Sequence, residues 1–182
     1  MTFVAAKWSL DDYHQMIEVG LLADRAVELI NGEIIQIAPE GVSHSFYCRE
    51  TVKYLRSVLQ DRAEVSGAYP ITLPNNSEPE PDIAIIQTPY TIYKTRHPIP
   101  GDIFWLIEVA NATLVNDLGV KRELYARSGI LEYWVMNLQA NELVVFKNLT
   151  ADGYQSETRF TSGTISPIAF PDIFIDVPRL FQ

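Results

Sequence analysis

Two short apolar runs, each with one acid at an end, constrain this chain more than any other feature. In PEPDIAIIQ, Asp82 leads into Ile83, Ala84, Ile85 and Ile86, and in DIFWLIEVA, Glu108 follows Phe104, Trp105, Leu106 and Ile107. Unbroken apolar runs of this length predict strands buried on both faces. An ionised carboxylate beside such a run must be paired, protonated or bound to a cation, because burying it alone costs several kcal/mol or more. Asp82 and Glu108 are therefore the first candidates for a functional site.

The flanking sequence supplies the frame. Ser9-Leu10-Asp11-Asp12 has the form of a capping box and predicts a short amphipathic helix carrying Tyr13, Met16 and Ile17 and stopping at Gly20. Asn31-Gly32, set between AVELI and EIIQI, predicts a β-hairpin. Alternation sends Glu28 to the opposite side from Val27 and Leu29, outward or into a cleft. From Ser43 to about Arg62 the pattern is helical, with an apolar face of Phe46, Val52, Tyr54, Leu55, Val58 and Leu59 and a basic stripe of Arg49, Lys53 and Arg56. Residues 64–73 read as a strand interrupted at Gly67 and Pro70, and residues 88–102 as a loop bearing Lys94, Arg96 and His97. After Glu108, a helix runs to about Arg127 and closes at Gly129, with Asp117 and Lys121 one turn apart on one face. LEYWVMN and ELVVFKN then predict two strands around a turn at residues 139–141. No repeat, linker or low-complexity block divides the chain, so the expectation is one α+β domain over residues 1–182.

A strand, a loop and a return strand between Asp82 and Glu108 bring both acids to one place on a sheet. Paired carboxylates make a site of hard oxygen ligands, suited to Mg²⁺ or Mn²⁺, and such ions work with phosphate oxygens. The chemistry implied is phosphoryl transfer. That chemistry also needs a fixed cation against developing negative charge, and Lys121 on the following helix is the candidate.

Charge limits the partners. With 14 Lys and Arg against 23 Asp and Glu the chain carries a net charge of −9, which opposes nonspecific attraction to a polyanion. Any nucleic acid must meet a local basic patch, for which Arg49, Lys53, Lys94 and Arg96 are the candidates. No run of about 18 apolar residues is present, and the opening stretch MTFVAAKWSLDDY lacks the basic flank and apolar segment of a secretory leader. The expectation is a cytoplasmic protein without membrane contact. The single cysteine, Cys48, has no partner for a disulfide and no CxxC spacing, and reads as a small apolar filler.

PEPDIAII, LIEVA, and a D-x3-K followed by ELYARSGILEYWVMN resemble the PD-(D/E)XK, or restriction-endonuclease-like, superfamily, and within it the Uma-two family of endonucleases. The resemblance runs from about Ser9 to about Phe146 and includes the ELINGEI hairpin and His44 after a proline-containing turn. It implies a central mixed β-sheet flanked by helices, with the N-terminal helix and hairpin beside it. It also implies metal ligation by Asp82 and Glu108. The superfamily pattern places a lysine two residues after the glutamate, yet position 110 is Ala. The resemblance implies that the lysine has moved to the helix as Lys121, and it adds Glu28 and His44 near the cleft; Asp117, one turn before Lys121, is a further accessory candidate.

Two readings follow. One is a Mg²⁺-dependent (or Mn²⁺-dependent) endonuclease, an endodeoxyribonuclease hydrolysing phosphodiester bonds of nucleic acid, DNA foremost. Such nucleases often pair to cut two strands, so a homodimer is expected, with apolar residues at 143–146 and 170–175 as pairing surface. The other is a catalytically silent relative that keeps the fold as an interaction or assembly module. Acids at strand ends also occur as solvated caps, and Lys121 also reads as a surface partner of Asp117.

Overall fold

A computed structural model describes residues 4–182. Its centre is a six-stranded mixed sheet in the order β3-β4-β5-β6-β7-β8, made of β3 (Glu64–Gly67), β4 (Ile83–Ile86), β5 (Ile103–Ala110), β6 (Tyr133–Asn137), β7 (Glu142–Thr150) and β8 (Gly153–Phe160). Neighbours are antiparallel except β5 and β6. A parallel pair needs a long crossover. Here it is a helical segment formed by α3 (Leu114–Asn116), a π-helical turn (Asp117–Lys121) and α4 (Arg122–Arg127).

The sheet is covered on both faces, as the unbroken apolar runs require. Ile83, Ile85, Trp105, Ile107, Trp134 and Val145 point to one side and pack with Leu55 and Leu59 of α2 (Val42–Leu59) and with the C-terminal segment. Ala84, Ile86, Leu106, Val135 and Phe146 point to the other side and pack with Leu124 and Tyr125 of α4. The expected α+β fold with a mixed sheet between helices is what the chain forms.

The N-terminal elements also follow the sequence. Ser9 caps α1 (Leu10–Glu18) with a reciprocal capping box to Asp12. β1 (Val27–Ile30) and β2 (Glu33–Gln36) form the hairpin, and both turn residues have positive φ, 49° at Asn31 and 75° at Gly32, as a type I′ turn demands. The hairpin is tied to the rest by Glu78 N–H on the Leu29 carbonyl at 2.7 Å and Gly32 N–H on the Asn76 carbonyl at 2.8 Å. A Cβ at Gly32 would lie 2.9 Å from both Lys7 Cβ and the Trp8 carbonyl oxygen. Gly32→Ala therefore combines a left-handed backbone with a backbone clash, and chemical denaturation should register a loss of about 1–3 kcal/mol.

Some expectations change. The strand expected over residues 64–73 ends at Gly67: Ala68 adopts a φ of 49° and Pro70 has no N–H to donate, so Ile71 and Leu73 are buried in non-strand backbone instead. Ile17 and Phe46, read as apolar-face residues, are half exposed. The residues expected to form a pairing surface are mostly core: Leu143, Val144, Val145, Phe146, Phe170, Ile173 and Ile175 are buried within this chain, while Pro171, Asp172 and Phe174 are exposed. No helix among the described residues is long and apolar enough to cross a membrane.

Candidate active site

The β4–β5 register sets the geometry. Ile83 faces Ile107, so Asp82, one residue before, and Glu108, one residue after, stand opposite each other at the same end of two central strands. Both share the alternation of Ala84, Leu106 and Ala110, on the face covered by the crossover. Asp82 leads into its strand, but Glu108 lies inside β5, which continues to Ala110.

Each acid is held by named donors. Asp82 Oδ2 accepts the Val109 N–H at 2.6 Å and lies 3.0 Å from His44 Nε2 in the first turn of α2. Glu108 is buried; Oε1 accepts the Tyr125 hydroxyl at 2.6 Å, and Oε2 is 2.9 Å from Lys121 Nζ. Asp117 is buried too and accepts the Thr113 hydroxyl at 2.6 Å. Glu28, on the inner side of the hairpin, accepts the Glu80 N–H at 2.9 Å.

These placements correct the surface reading of Asp117 and Lys121. The π turn widens the helix at these two residues. Lys121 reaches Glu108 on the sheet, while Asp117 turns into the protein. π turns of this kind are frequent at functional sites.

The electrostatics follow from burial and crowding. Burial raises Glu108 well above the ordinary carboxylate range, and Asp82 and Asp117 add to the rise while Lys121 opposes it. Burial likewise raises Asp117 and Glu80. Burial also pushes Asp82 upward, but the His44 hydrogen bond and charge, Lys121 and the Val109 N–H hold it below the usual value. Burial disfavours the charge on Lys121, yet the carboxylates of Glu108, Glu28, Asp82 and Asp117 together raise it and keep it cationic. His44 is raised chiefly by its hydrogen bond to Asp82. Perturbations concentrated in one place make this cluster the candidate for a functional site.

The expected basic residues divide. Arg49, Lys53 and Arg56 are exposed on α2 and, with Glu40, Cys48, Tyr69 and Asp82, line a cleft of about 590 Å³. The basic stripe thus leads to the acids. Lys94 and Arg96 lie in the connection that leaves β4 and enters β5 at the opposite strand ends. Arg96 is moreover held in a two-pronged pair with Asp102.

Three residues beside the candidate site were not read as part of it. Tyr125 read only as an apolar contact, although its hydroxyl anchors Glu108. Glu80 sits two residues before Asp82, and that spacing was the available signal. Cys48 packs against the core as the small apolar residue expected, and its sulfur also lies 3.7 Å from His44 Nδ1.

Residues 10–178 match the Uma2 family, described as "Putative restriction endonuclease". The chain belongs to this family. Among solved structures, the Uma2 chain resembles "a putative nuclease belonging to DUF820" from Anabaena variabilis ATCC 29413, with 19% identity and a TM-score of 0.72 over 95% of this chain and 97% of that one. At that identity the likeness establishes a shared fold. No curated protein matches the chain.

Proposed function

We propose that this Uma2 chain is a divalent-metal-dependent endonuclease, its single domain hydrolysing phosphodiester bonds of nucleic acid, DNA foremost. The observation that carries the reading is the convergence of Asp82, Glu108 and Lys121 at one pair of strand ends, beside a cleft walled by Arg49, Lys53 and Arg56.

The donor set fits a hard divalent cation. Glu28, Glu80, Asp82, Glu108 and Asp117 crowd around Lys121 and His44, and burial leaves Glu108, Asp117 and Glu80 with raised affinities for a proton. One lysine and one histidine do not balance five carboxylates. Oxygen ligands in such excess suit Mg²⁺ or Mn²⁺, with Asp82 and Glu108 as the holding pair. When bound, such an ion supplies Lewis acidity and neutralises charge on phosphoryl oxygens.

The chain's own groups do the rest. The Val109 N–H fixes the Asp82 carboxylate, and the Tyr125 hydroxyl fixes Glu108. Lys121, kept cationic by four acids, acts as a fixed positive charge toward phosphoryl oxygens rather than as a base. Arg49 and Lys53 bind backbone phosphates along the cleft and set the substrate's register without reading bases.

The primary test is Mn²⁺ calorimetry alongside nicking of plasmid DNA. Binding that depends on Asp82 and Glu108, accompanied by cleavage, is the expected result. A protein that binds no Mn²⁺ would instead be the silent relative, a reading favoured by Ala110, which is buried where the superfamily carries its lysine. The patch has its own test, in which Arg49→Glu with Lys53→Glu should weaken DNA binding. The slope of log affinity against log salt should also flatten by about 2, at roughly 0.9 for each phosphate no longer neutralised. An unchanged slope would remove both residues from the interface.

A further inference from the structure

We propose that His44, Cys48 and Asp82 form a second cation site, selective for a thiophilic divalent ion of the zinc class and sharing Asp82 with the hard-ion site. His44 and Cys48 are four residues apart on α2 and face the same way, while Asp82 arrives from the start of β4. One ligand atom from each lies within 4.8 Å of the others.

The distances between donors bring the three ligands within reach of one ion. For tetrahedral zinc with ordinary bond lengths, the nitrogen–sulfur edge is about 3.6 Å and the nitrogen–oxygen edge about 3.3 Å. Cys48 Sγ is 3.9 Å from His44 Nε2, and that nitrogen is 3.0 Å from Asp82 Oδ2. Because Sγ lies slightly closer to Nδ1, at 3.7 Å, seating an ion on Nε2 requires the imidazole or the Cys48 side chain to turn so that the sulfur moves to the Nε2 side.

Chemistry and surroundings agree with the geometry. A thiolate and an imidazole favour zinc over magnesium, which requires oxygen. Glu40 Oε2 lies 3.4 Å from His44 Nδ1, so Nδ1–H is directed at a carboxylate once Nε2 is ligated, the outer-shell arrangement typical of metal-bound histidine. Glu40, Cys48 and Asp82 all border the cleft. A further ligand position would therefore face the cleft. On binding, the thiol proton and the proton between Nε2 and Oδ2 are released, so affinity rises with pH.

The test is titration of the reduced full chain with Co²⁺, then Zn²⁺. A thiolate-to-cobalt charge-transfer band should appear and be bleached by zinc. Cys48→Ser and Cys48→Ala should both abolish the band and weaken Zn²⁺ by about a hundredfold or more, since losing an outer-shell partner alone costs about ten- to hundredfold. Glu108→Gln should leave the band in place. Absence of the band in the folded parent, or Zn²⁺ affinity indifferent to Cys48, would overturn the site.

Competition provides a second readout, and this consequence rests on the nuclease reading of Asp82. One equivalent of Zn²⁺ should weaken Mn²⁺ binding in the parent but not in Cys48→Ser. Should the parent bind Mn²⁺ equally well with zinc present, the sharing of Asp82 is wrong. Should it bind no Mn²⁺ while the cobalt band stands, the nuclease reading falls and the zinc site survives.

Discussion

Lys121→Met should abolish at least about 99% of turnover while leaving Mn²⁺ binding intact or tighter, whereas Asp82→Asn and Glu108→Gln should lose the ion itself. The separation follows from what each group touches. Lys121 stands 2.9 Å from Glu108 Oε2, so it competes with a cation for the same carboxylate, and removing it frees a ligand. What disappears is a fixed charge against the phosphoryl oxygens, and deleting one preorganised donor typically costs about a hundred- to a thousandfold in rate. Asp82→Asn and Glu108→Gln keep their shapes but remove the charge a hard ion requires. Lys121→Met also leaves Glu108 buried without its counter-charge, so this variant should melt lower than the parent and regain more on adding Mn²⁺. Calorimetry, single-turnover cleavage and thermal melts on the same preparations check each part. If all three variants bind Mn²⁺ like the parent, these residues do not make the metal site.

The pair of acids was legible because strand burial and strand register are local consequences of sequence. A short, β-branched apolar run such as Ile83–Ile86 between loop residues favours a covered strand, and the antiparallel return then sets Asp82 against Glu108. The hairpin was equally readable, since Asn31-Gly32 specifies its own turn. The position of Lys121 was harder. A regular helix places Asp117 and Lys121 together on one face, and the sequence did not show that this face turns inward, where Lys121 meets Glu108 and Asp117 meets Thr113.

Long-range polar partners were also hidden. His44 meets Asp82 across 38 positions and Glu28 meets the Glu80 N–H across 52, and no periodicity records such meetings. Arg96 shows the converse error: six residues from Asp102 in one loop, it read as free for phosphate, while a buried acid nearby had a stronger claim on its planar guanidinium. The apolar C-terminal segments likewise read as available surface, because sequence does not say which of two apolar strands a chain will use to close its own core.

The largest effect on stability should come from a residue outside the site. Glu132, between α4 and β6, is completely buried. Its Oε1 accepts the Trp134 indole N–H at 2.7 Å and lies 3.0 Å from Lys147 Nζ, and its Oε2 accepts the Ile168 N–H at 2.6 Å. Lys147 also donates to the Ser166 carbonyl at 2.8 Å, so this pair pins the C-terminal segment to β6 and β7. Lys147→Met keeps the stem but leaves a buried carboxylate uncompensated, a loss of about 3–5 kcal/mol. Glu132→Gln keeps volume but must turn an amide N–H₂ toward a donor, either the Ile168 N–H or the Trp134 indole, so it too should be costly. With both replaced, the stranded charge is gone, and the combined loss should be smaller than the sum of the single losses by about 1 kcal/mol or more, as expected for contacting residues. Equilibrium urea unfolding of the four proteins measures this coupling. Strict additivity would show that Glu132 and Lys147 do not stabilise the fold as a pair.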